Sequence, residues 1–199
     1  MRLLHFFMRR NVRAYARLMR WDAEEKRHRI LAAARRAFAE KGEDVTVARI
    51  ARSAGVSVAT VYRRFPTRDR LITDAYGDQW NDCAAMHAEA MSDPDPARAL
   101  RELIRTLCAY QLKDRGFTRA YVEAVVTGRG LDHERQETER VIARLLQRAQ
   151  AMGTVRADLT VADFRLLIAA HHGVVLAAGP DAATASHRYL ALMLRTLQP

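Results

Sequence analysis

The chain has 199 residues, with 33 Lys and Arg against 23 Asp and Glu and a formal net charge of +10. Gly and Pro are few, Ala, Arg and Leu are abundant, and no β-branched run alternates with period two, which excludes a sheet protein and predicts an all-α fold. Cys83 and Cys108 have no metal-ligand spacing, and they indicate a reduced cytoplasmic protein rather than a disulfide framework or zinc site.

The positive charge is concentrated in the first 75 residues. These hold 18 basic against 8 acidic side chains, whereas residues 76–199 hold 15 of each. This asymmetry predicts a basic front half that faces a polyanion, preferably nucleic acid, and a neutral second half with another role. A contribution to solubility alone is the open alternative.

Residues 1–19 form a basic segment. Its apolar run, LLHFFM, is too short for the h-region of a signal peptide, and we expect no later segment to reach 18 apolar residues. We therefore expect residues 1–19 to be a mobile extension. A frayed helix, an arm that touches DNA and an upstream start of the chain are alternatives.

A first helix is predicted after this extension. Asp22 and Glu25 have the spacing of a capping box, and an apolar stripe with helical period follows them. Gly42 has the position of a residue that ends the helix.

Two short helices are predicted next, separated by a single glycine. Thr46 caps the first of them, Gly55 breaks it, and Ser57 caps the second. Pro66 ends that helix, and a fourth helix follows. Two short helices around a tight glycine turn are typical of a helix-turn-helix, whose second helix enters the major groove of DNA.

The second half begins after the SDPDP loop at residues 92–96. Thr160 and Asp163 have the spacing of a capping box. The helical patterns cover 97–112, 116–127, 132–152, 160–178 and 182–197.

The motif A-G-V-S-x-x-T-x-Y-x-x-F-P-x-R-x-x-L, from Ala54 to Leu71, makes residues 20–76 resemble the DNA-binding domain of the TetR family of bacterial transcriptional regulators. The resemblance implies a three-helix DNA-binding domain at 20–76 and a helical effector-binding and dimerisation domain at 77–199. It implies a homodimeric, sequence-specific regulator, an effector-released repressor on a pseudo-palindromic operator. An architectural DNA-binding protein without effector response is the alternative.

By matching positions, the resemblance assigns two sets of DNA contacts. Hydroxyl and guanidinium groups would contact phosphates, which set the register of the protein on DNA. These residues are Thr46, Thr60, Tyr62, Arg64 and Arg68. Base edges would be contacted by Ser57, Val58, Ala59 and Arg63.

The helix predicted at 160–178 is apolar nearly all round and must be covered on more than one side. We predict that it and the last helix meet their copies across a two-fold axis as a four-helix interface. Burial inside one subunit is the alternative. The predicted interface residues are Leu166, Ala169, Ala170, Gly173, Ala177, Tyr189, Leu190, Met193, Leu194 and Leu197.

The resemblance also implies a small-molecule pocket among the middle helices, with a purely structural core as the alternative. The candidate lining residues are Trp80, Met86, Leu103, Leu107, Tyr110, Phe117, Tyr121, Val125 and His171. No common catalytic motif occurs, and neighbouring His171 and His172 diverge on a helix too far to share one metal. We therefore expect no enzyme, no metal, no cofactor and no membrane partner.

Overall fold

The computed structural model describes the backbone of residues 2–41, 45–127 and 131–199, and the side chains of these ranges except residues 2–18, 41, 115 and 123–127. The described part is all-helical, as predicted, and contains no strand. Its helices are α1 (Arg2–Lys41), α2 (Val47–Ala54), α3 (Val58–Arg64), α4 (Arg68–Ala75), α5 (Gly77–Ser92), α6 (Pro96–Lys113), α7 (Arg115–Thr127), α8 (Asp132–Ala151), α9 (Val161–Ala178) and α10 (Ala182–Thr196).

The chain divides into two compact units. One consists of Met1–Ala37 with Asp44–Ala75, and the other of Phe38–Glu43 with Tyr76–Pro199. In the first unit, α1 to α4 bury one small apolar core. Its buried side chains include Ile30, Leu31, Ala34, Ile50, Ala51, Ala54, Val61, Phe65, Leu71 and Ile72.

The predicted start of the first helix at Asp22 is wrong. Helix α1 is continuous from Arg2, so Asp22 lies inside it and forms an ion pair with Lys26 one turn later. An aspartate inside a helix is tolerated when such an i,i+4 partner offsets its low propensity. The predicted end at Gly42 lies outside the described residues.

The second unit is built around one hydrophobic cluster contributed mainly by α6, α8, α9 and α10. Leu100, Ile104, Leu145 and Ile168 are fully buried there. The predicted helices of this half match α6 to α10 within two residues at each described end. The Thr160 and Asp163 capping box that starts α9 is confirmed, with both reciprocal hydrogen bonds present.

One stretch, Val161–Thr196, is long and apolar enough to cross a bilayer by length and composition alone. The prediction that no later segment would qualify is therefore wrong. In the structure this stretch is α9 and α10, separated by a short 3-10 turn at Gly179–Asp181. Only 22% of its most apolar window is buried, so an apolar face is left at the surface.

Candidate DNA-binding and effector sites

The turn between α2 and α3 depends on Gly55. Its φ of 65° and ψ of 39° are left-handed, a conformation that costs other residues conformational energy. The Gly55 N–H donates to the Arg52 carbonyl at 3.2 Å, and the Val56 N–H donates to the Ala51 carbonyl at 3.0 Å. These bonds satisfy the last carbonyls of α2 and turn the chain sharply into α3.

The first turn of α3 is held by hydroxyl groups. The Ser57 Oγ accepts from the Thr60 N–H at 3.2 Å, and the two hydroxyl oxygens lie 2.9 Å apart. Thr46 starts α2 in the same way, since its side chain accepts from the Arg49 N–H at 3.2 Å. The hydroxyls of Thr46 and Ser57 therefore act as helix caps, and the Thr60 hydroxyl is held against that of Ser57.

Helix α3 buries little of itself. Val61 is its buried residue, and Phe65 directly after it is also buried. By contrast, Val58 is 40% exposed and Tyr62 is 50% exposed. Large apolar and aromatic side chains on the exposed face of a short helix indicate a surface that binds another molecule.

The remaining predicted contacts differ in their environment. Ser57, Ala59 and Arg63 are exposed and Arg64 is half-buried, and no ion pair within the described residues involves either arginine. Arg68 is different, because its Nη1 donates to the Val45 carbonyl at 2.7 Å and so anchors the segment before α2. Sequence reasoning missed this structural role of Arg68.

The predicted pocket residues separate into two groups in the second unit. Trp80, Phe117 and Tyr121 form an aromatic cluster, with ring centroids 4.8 Å apart for Trp80 and Phe117 and 6.0 Å apart for Phe117 and Tyr121. Tyr110 joins this cluster, with its ring 6.5 Å from Phe117. The Nε1 of Trp80 is buried and has no hydrogen-bond partner among the described residues.

Other predicted pocket residues are part of the hydrophobic core, and their assignment to a pocket stays a prediction. Leu103 and Leu107 are buried in the hydrophobic cluster of the second unit, and Met86 packs against it. Their helical spacing on α6 and α5 matches core packing as well as a pocket wall, so the pattern could not separate the two. The side chain of Val125 lies outside the described residues.

His171 is fully buried and belongs to a polar network rather than to a cavity wall. Its Nδ1 is hydrogen-bonded to the Gln111 side-chain oxygen, and its Nε2 lies 2.8 Å from the Ser186 Oγ. The Gln111 amide also donates to the Ile168 carbonyl at 3.2 Å. Burial lowers the pKa of His171 to about 4, so the ring is neutral at pH 7.

A cavity that the sequence did not predict lies between α7, α8 and α9. Its volume is about 10 Å³, which is room for one water molecule. Of the predicted pocket residues, Tyr121 lines it. The full lining is Tyr121, Arg135, Thr138, Glu139, Ile142, Val161, Phe164, Arg165 and Ile168. The sequence signal for this cavity is Arg165, an arginine at the edge of the otherwise apolar stripe of α9.

The apolar face on α9 and α10 agrees with the predicted interface on one helix and differs on the other. On α9, Leu166, Ala170, Gly173 and Ala177 are exposed and Ala169 is half-buried, and their spacing places them along one side. A surface concavity of about 470 Å³ runs beside Leu166, Ala170 and Tyr189.

On α10 the predicted face is rotated. Met193 and Leu197 are 1% and 2% exposed and pack into the core of their own subunit, so their assignment to an interface is wrong. Leu190 and Leu194 are half-buried against the same core. Leu192 is a large apolar side chain of this helix that is exposed, and the sequence reasoning omitted it. Leu192 is three residues after Tyr189 and therefore lies on the same side of the helix.

Together, a basic unit with an exposed short helix after a glycine turn and a separate helical unit with a buried core define a helix-turn-helix DNA-binding protein. Comparison with known families gives the same class. Residues 30–75 match the model described as bacterial regulatory proteins, tetR family, and residues 95–199 match that of the transcriptional regulator SbtR-like C-terminal domain.

Solved structures are similar over most of the chain. The TetR transcriptional regulator SCO0520 from Streptomyces coelicolor is 35% identical, covers 87% of this chain and 98% of its own, and has a TM-score of 0.51. FadR from Bacillus subtilis, solved in complex with stearoyl-CoA, is 16% identical over 86% of this chain and 99% of its own, with a TM-score of 0.63. A γ-butyrolactone receptor is 21% identical over 89% and 90%, with a TM-score of 0.59.

The family match over more than half of the chain and the 35% identity to the Streptomyces protein decide the assignment. The chain belongs to the TetR family of bacterial transcriptional regulators. The two more distant structures support the fold alone.

Proposed function

We propose that this protein is a cytoplasmic, effector-released repressor that binds a pseudo-palindromic operator as a homodimer. The observation that carries the proposal is the exposed face of α3. Val58 and Tyr62 stand out from a helix whose opposite side is buried, beside Arg63 at the end of the same helix. The groove of B-DNA admits one α-helix and covers such a face.

We assign two kinds of DNA contact to these side chains, phosphate contacts and base contacts. Tyr62 and Thr46 offer hydroxyl groups and Arg64 a positive charge to phosphates, which position the domain. Val58 and Ala59 present apolar surface that fits a thymine methyl group, and Arg63 has the donor pair that suits guanine. Arg68 contributes by fixing the start of α2 through Val45, and its charge adds to the attraction of the phosphates.

The apolar face on α9 and α10 supports the homodimer. Leu166 is 67% exposed and Leu192 is 53% exposed, and water-exposed leucines on adjacent helices favour cover by a second copy. Two copies would present two α3 helices to successive major grooves, roughly 34–36 Å apart.

The fold of the second unit supports effector release. Similar folds include FadR, solved with stearoyl-CoA, and a γ-butyrolactone receptor, so this fold holds small molecules in other proteins. A ligand that binds better to the DNA-free arrangement than to the DNA-bound one lowers the affinity for operator by that difference.

The proposal is tested by operator selection followed by gel shifts with the selected and a scrambled duplex. We expect the selected DNA to bind at least about 1,000-fold more tightly. Affinity should also fall more than about 10-fold between 50 and 200 mM salt, because bound counterions are released. Equal affinity for both duplexes would favour an architectural DNA-binding protein without effector response instead.

A further inference from the structure

Helix α1 extends well beyond the part of it that packs in the first unit. Among its described side chains, burial begins at Ile30, and none from 19 to 29 is buried. Met19, Arg20 and Trp21 are all exposed, although successive residues of a helix lie about 100° apart around its axis. None of the described elements therefore encloses α1 at this level, and the helix continues without a break back to Arg2.

The charged residues of α1 before Asp22 are all arginines. There are six of them and no aspartate, glutamate or lysine, at Arg2, Arg9, Arg10, Arg13, Arg17 and Arg20. At 3.6 residues per turn, these six positions fall within one arc of about 100° and along roughly 27 Å of helix. The first half of α1 therefore has one strongly basic side.

The rest of its circumference is largely apolar. Leu4, Phe7 and Met8 occupy positions opposite the basic side, and Phe6 is the large apolar residue that falls within it. Further large apolar residues flank the opposite side, at Leu3, Val12, Tyr15, Leu18 and Met19. Trp21 is 65% exposed and lies at the boundary between the two sides, which is the place of tryptophan at a membrane–water interface.

Such a helix is unfavourable in water. Arg9, Arg13 and Arg17 follow one another at intervals of four residues, a spacing at which like charges destabilise a helix. The first turn holds Arg2 and no acidic residue, so the helix dipole is opposed rather than compensated. A partner that is anionic and also covers the apolar side would offset both costs.

Two polyanions complement the basic side, a DNA duplex and the surface of an anionic bilayer. A duplex pairs with the arginines but leaves the apolar side in water. A bilayer accepts both sides at once, because the basic side meets the phosphate headgroups and the apolar side enters the boundary of the acyl chains. The two-sided pattern therefore favours the bilayer.

We infer that residues 2–21 of α1 are an amphipathic anchor that lies on the surface of an anionic phospholipid bilayer and holds the regulator there. The apolar run LLHFFM is too short to cross a bilayer, but a helix on its surface needs no spanning run, so the expectation of no membrane partner is revised. The inference does not rest on the proposed function, because the anchor precedes the helix-turn-helix in the chain.

Co-sedimentation of the full chain with vesicles tests the anchor. The vesicles hold equal parts of phosphatidylglycerol and phosphatidylcholine, or phosphatidylcholine alone. We expect at least about 10-fold tighter binding to the anionic vesicles, and weaker binding as salt screens the headgroups. Equal binding to both vesicles, or no binding to the anionic ones, would overturn the inference.

Tryptophan fluorescence provides a second readout. The chain has two tryptophans, so Trp21 is the sole tryptophan in a Trp80→Phe background. Because the Trp21 side chain is exposed to water in the free protein, its emission should move to shorter wavelength when anionic vesicles are added. Vesicle binding without this shift would overturn the placement of Trp21 at the interface.

A first triple variant removes the centre of the apolar side. Leu4→Gln, Phe7→Gln and Met8→Gln introduce a residue that favours helix and keep all six arginines. This variant should bind anionic vesicles at least about 10-fold more weakly, because polar residues do not enter the acyl boundary. Unchanged vesicle binding would show adsorption by charge alone and would overturn the amphipathic anchor.

A second triple variant removes half of the basic side. It combines Arg9→Gln, Arg13→Gln and Arg17→Gln, and it should also weaken binding to anionic vesicles at least about 10-fold. The matched control removes the same charge from exposed positions of the second unit and should change nothing. Its substitutions are Arg105→Gln, Arg140→Gln and Arg144→Gln.

A gel shift on the selected operator decides between the two polyanions. Both triple variants of α1 should bind the operator as the parent protein does, which also shows that the first unit is folded. If the arginine variant instead lowers the salt slope of operator binding by about 3 and binds vesicles normally, this surface belongs to DNA and the anchor is overturned. A parent protein that binds vesicles but no operator would overturn the proposed function and leave the anchor standing.

Discussion

At the scale of single residues, the buried His171 ties three helices together through Gln111, Ser186 and its own ring. Its pKa is lowered to about 4 by burial and by the neighbouring His172. A histidine whose folded pKa lies below its unfolded value of about 6.5 adds stability above pH 6.5, and that stability is lost as the pH falls toward 4.

We predict that the free energy of unfolding falls by up to about 3 kcal/mol between pH 6.5 and pH 4 because of His171. Urea denaturation across this range measures it. His171→Leu should be less stable at pH 7, since Gln111 and Ser186 lose their partner, but its pH dependence should be flatter. The exposed His187, changed to Gln, should leave the slope as in the parent protein. A slope that His171→Leu does not reduce would contradict the assignment.

Tyr62 gives the residue-scale prediction for DNA. It is 50% exposed on α3, and its hydroxyl group is proposed to contact a phosphate. Tyr62→Phe should lower operator affinity about 5-fold, which corresponds to one neutral hydrogen bond of about 1 kcal/mol. The loss should be similar for operator and scrambled DNA, because phosphate contacts carry no sequence information. A gel shift at fixed salt measures it, and a loss confined to operator DNA would reassign Tyr62 to a base.

At the scale of elements, the α2–α3 turn depends on the left-handed conformation of Gly55. Gly55→Ala should destabilise the protein by about 1–2 kcal/mol, because a Cβ is disfavoured at that φ even though the nearest atom would lie 3.7 Å away. Gly77→Ala at the start of α5, where nothing lies within 4 Å and φ is ordinary, is the matched control and should be neutral or stabilising. Thermal unfolding of both variants tests the difference.

The helix ends show which parts of the fold can be predicted from the sequence. Apolar periodicity and caps such as Thr160 located α6 to α10 closely, because local signals decide where a helix begins and ends. The capping pattern at Asp22 failed because a helix can pass through a capping residue that finds an i,i+4 partner. The break at Tyr76 between α4 and α5 was also not predicted.

The candidate sites were predictable only where a motif fixes the local geometry. The exposed positions of α3 follow from the helix-turn-helix pattern, since its inner face must cover the domain core. The group of Arg135, Glu139 and Arg165 did not follow, because these side chains meet only when α8 and α9 pack against each other, and local sequence signals do not specify that packing. The apolar face of α10 was misplaced because Met193 and Leu192 are one residue apart and equally apolar, and tertiary packing alone decides which one points inward.

At the scale of the whole molecule, a second copy of the chain would cover Leu166, Leu176 and Leu192, which are more than half exposed on α9 and α10. The concavity beside Leu166 and Tyr189 is a surface into which a helix of the partner subunit can pack. A lipid bilayer could also cover an apolar face. However, the charged residues Arg156, Asp158 and Asp163 line the same concavity, and they favour a hydrated protein interface over lipid.

We predict that Leu166→Glu makes the protein monomeric at micromolar concentration. A carboxylate buried without a partner costs at least about 2 kcal/mol, and the two-fold axis places it twice, so the dimer should weaken about 1,000-fold. Sedimentation velocity measures the mass, and Met152→Glu, at an equally exposed apolar position that ends α8, is the control and should stay dimeric.

Because an operator with two half-sites holds two α3 helices at once, the monomer should also lose most of its affinity for the full site while keeping that for a half-site. A Leu166→Glu variant that remains dimeric would place the interface elsewhere, and one that is monomeric yet binds the full operator normally would remove the need for a dimer in recognition.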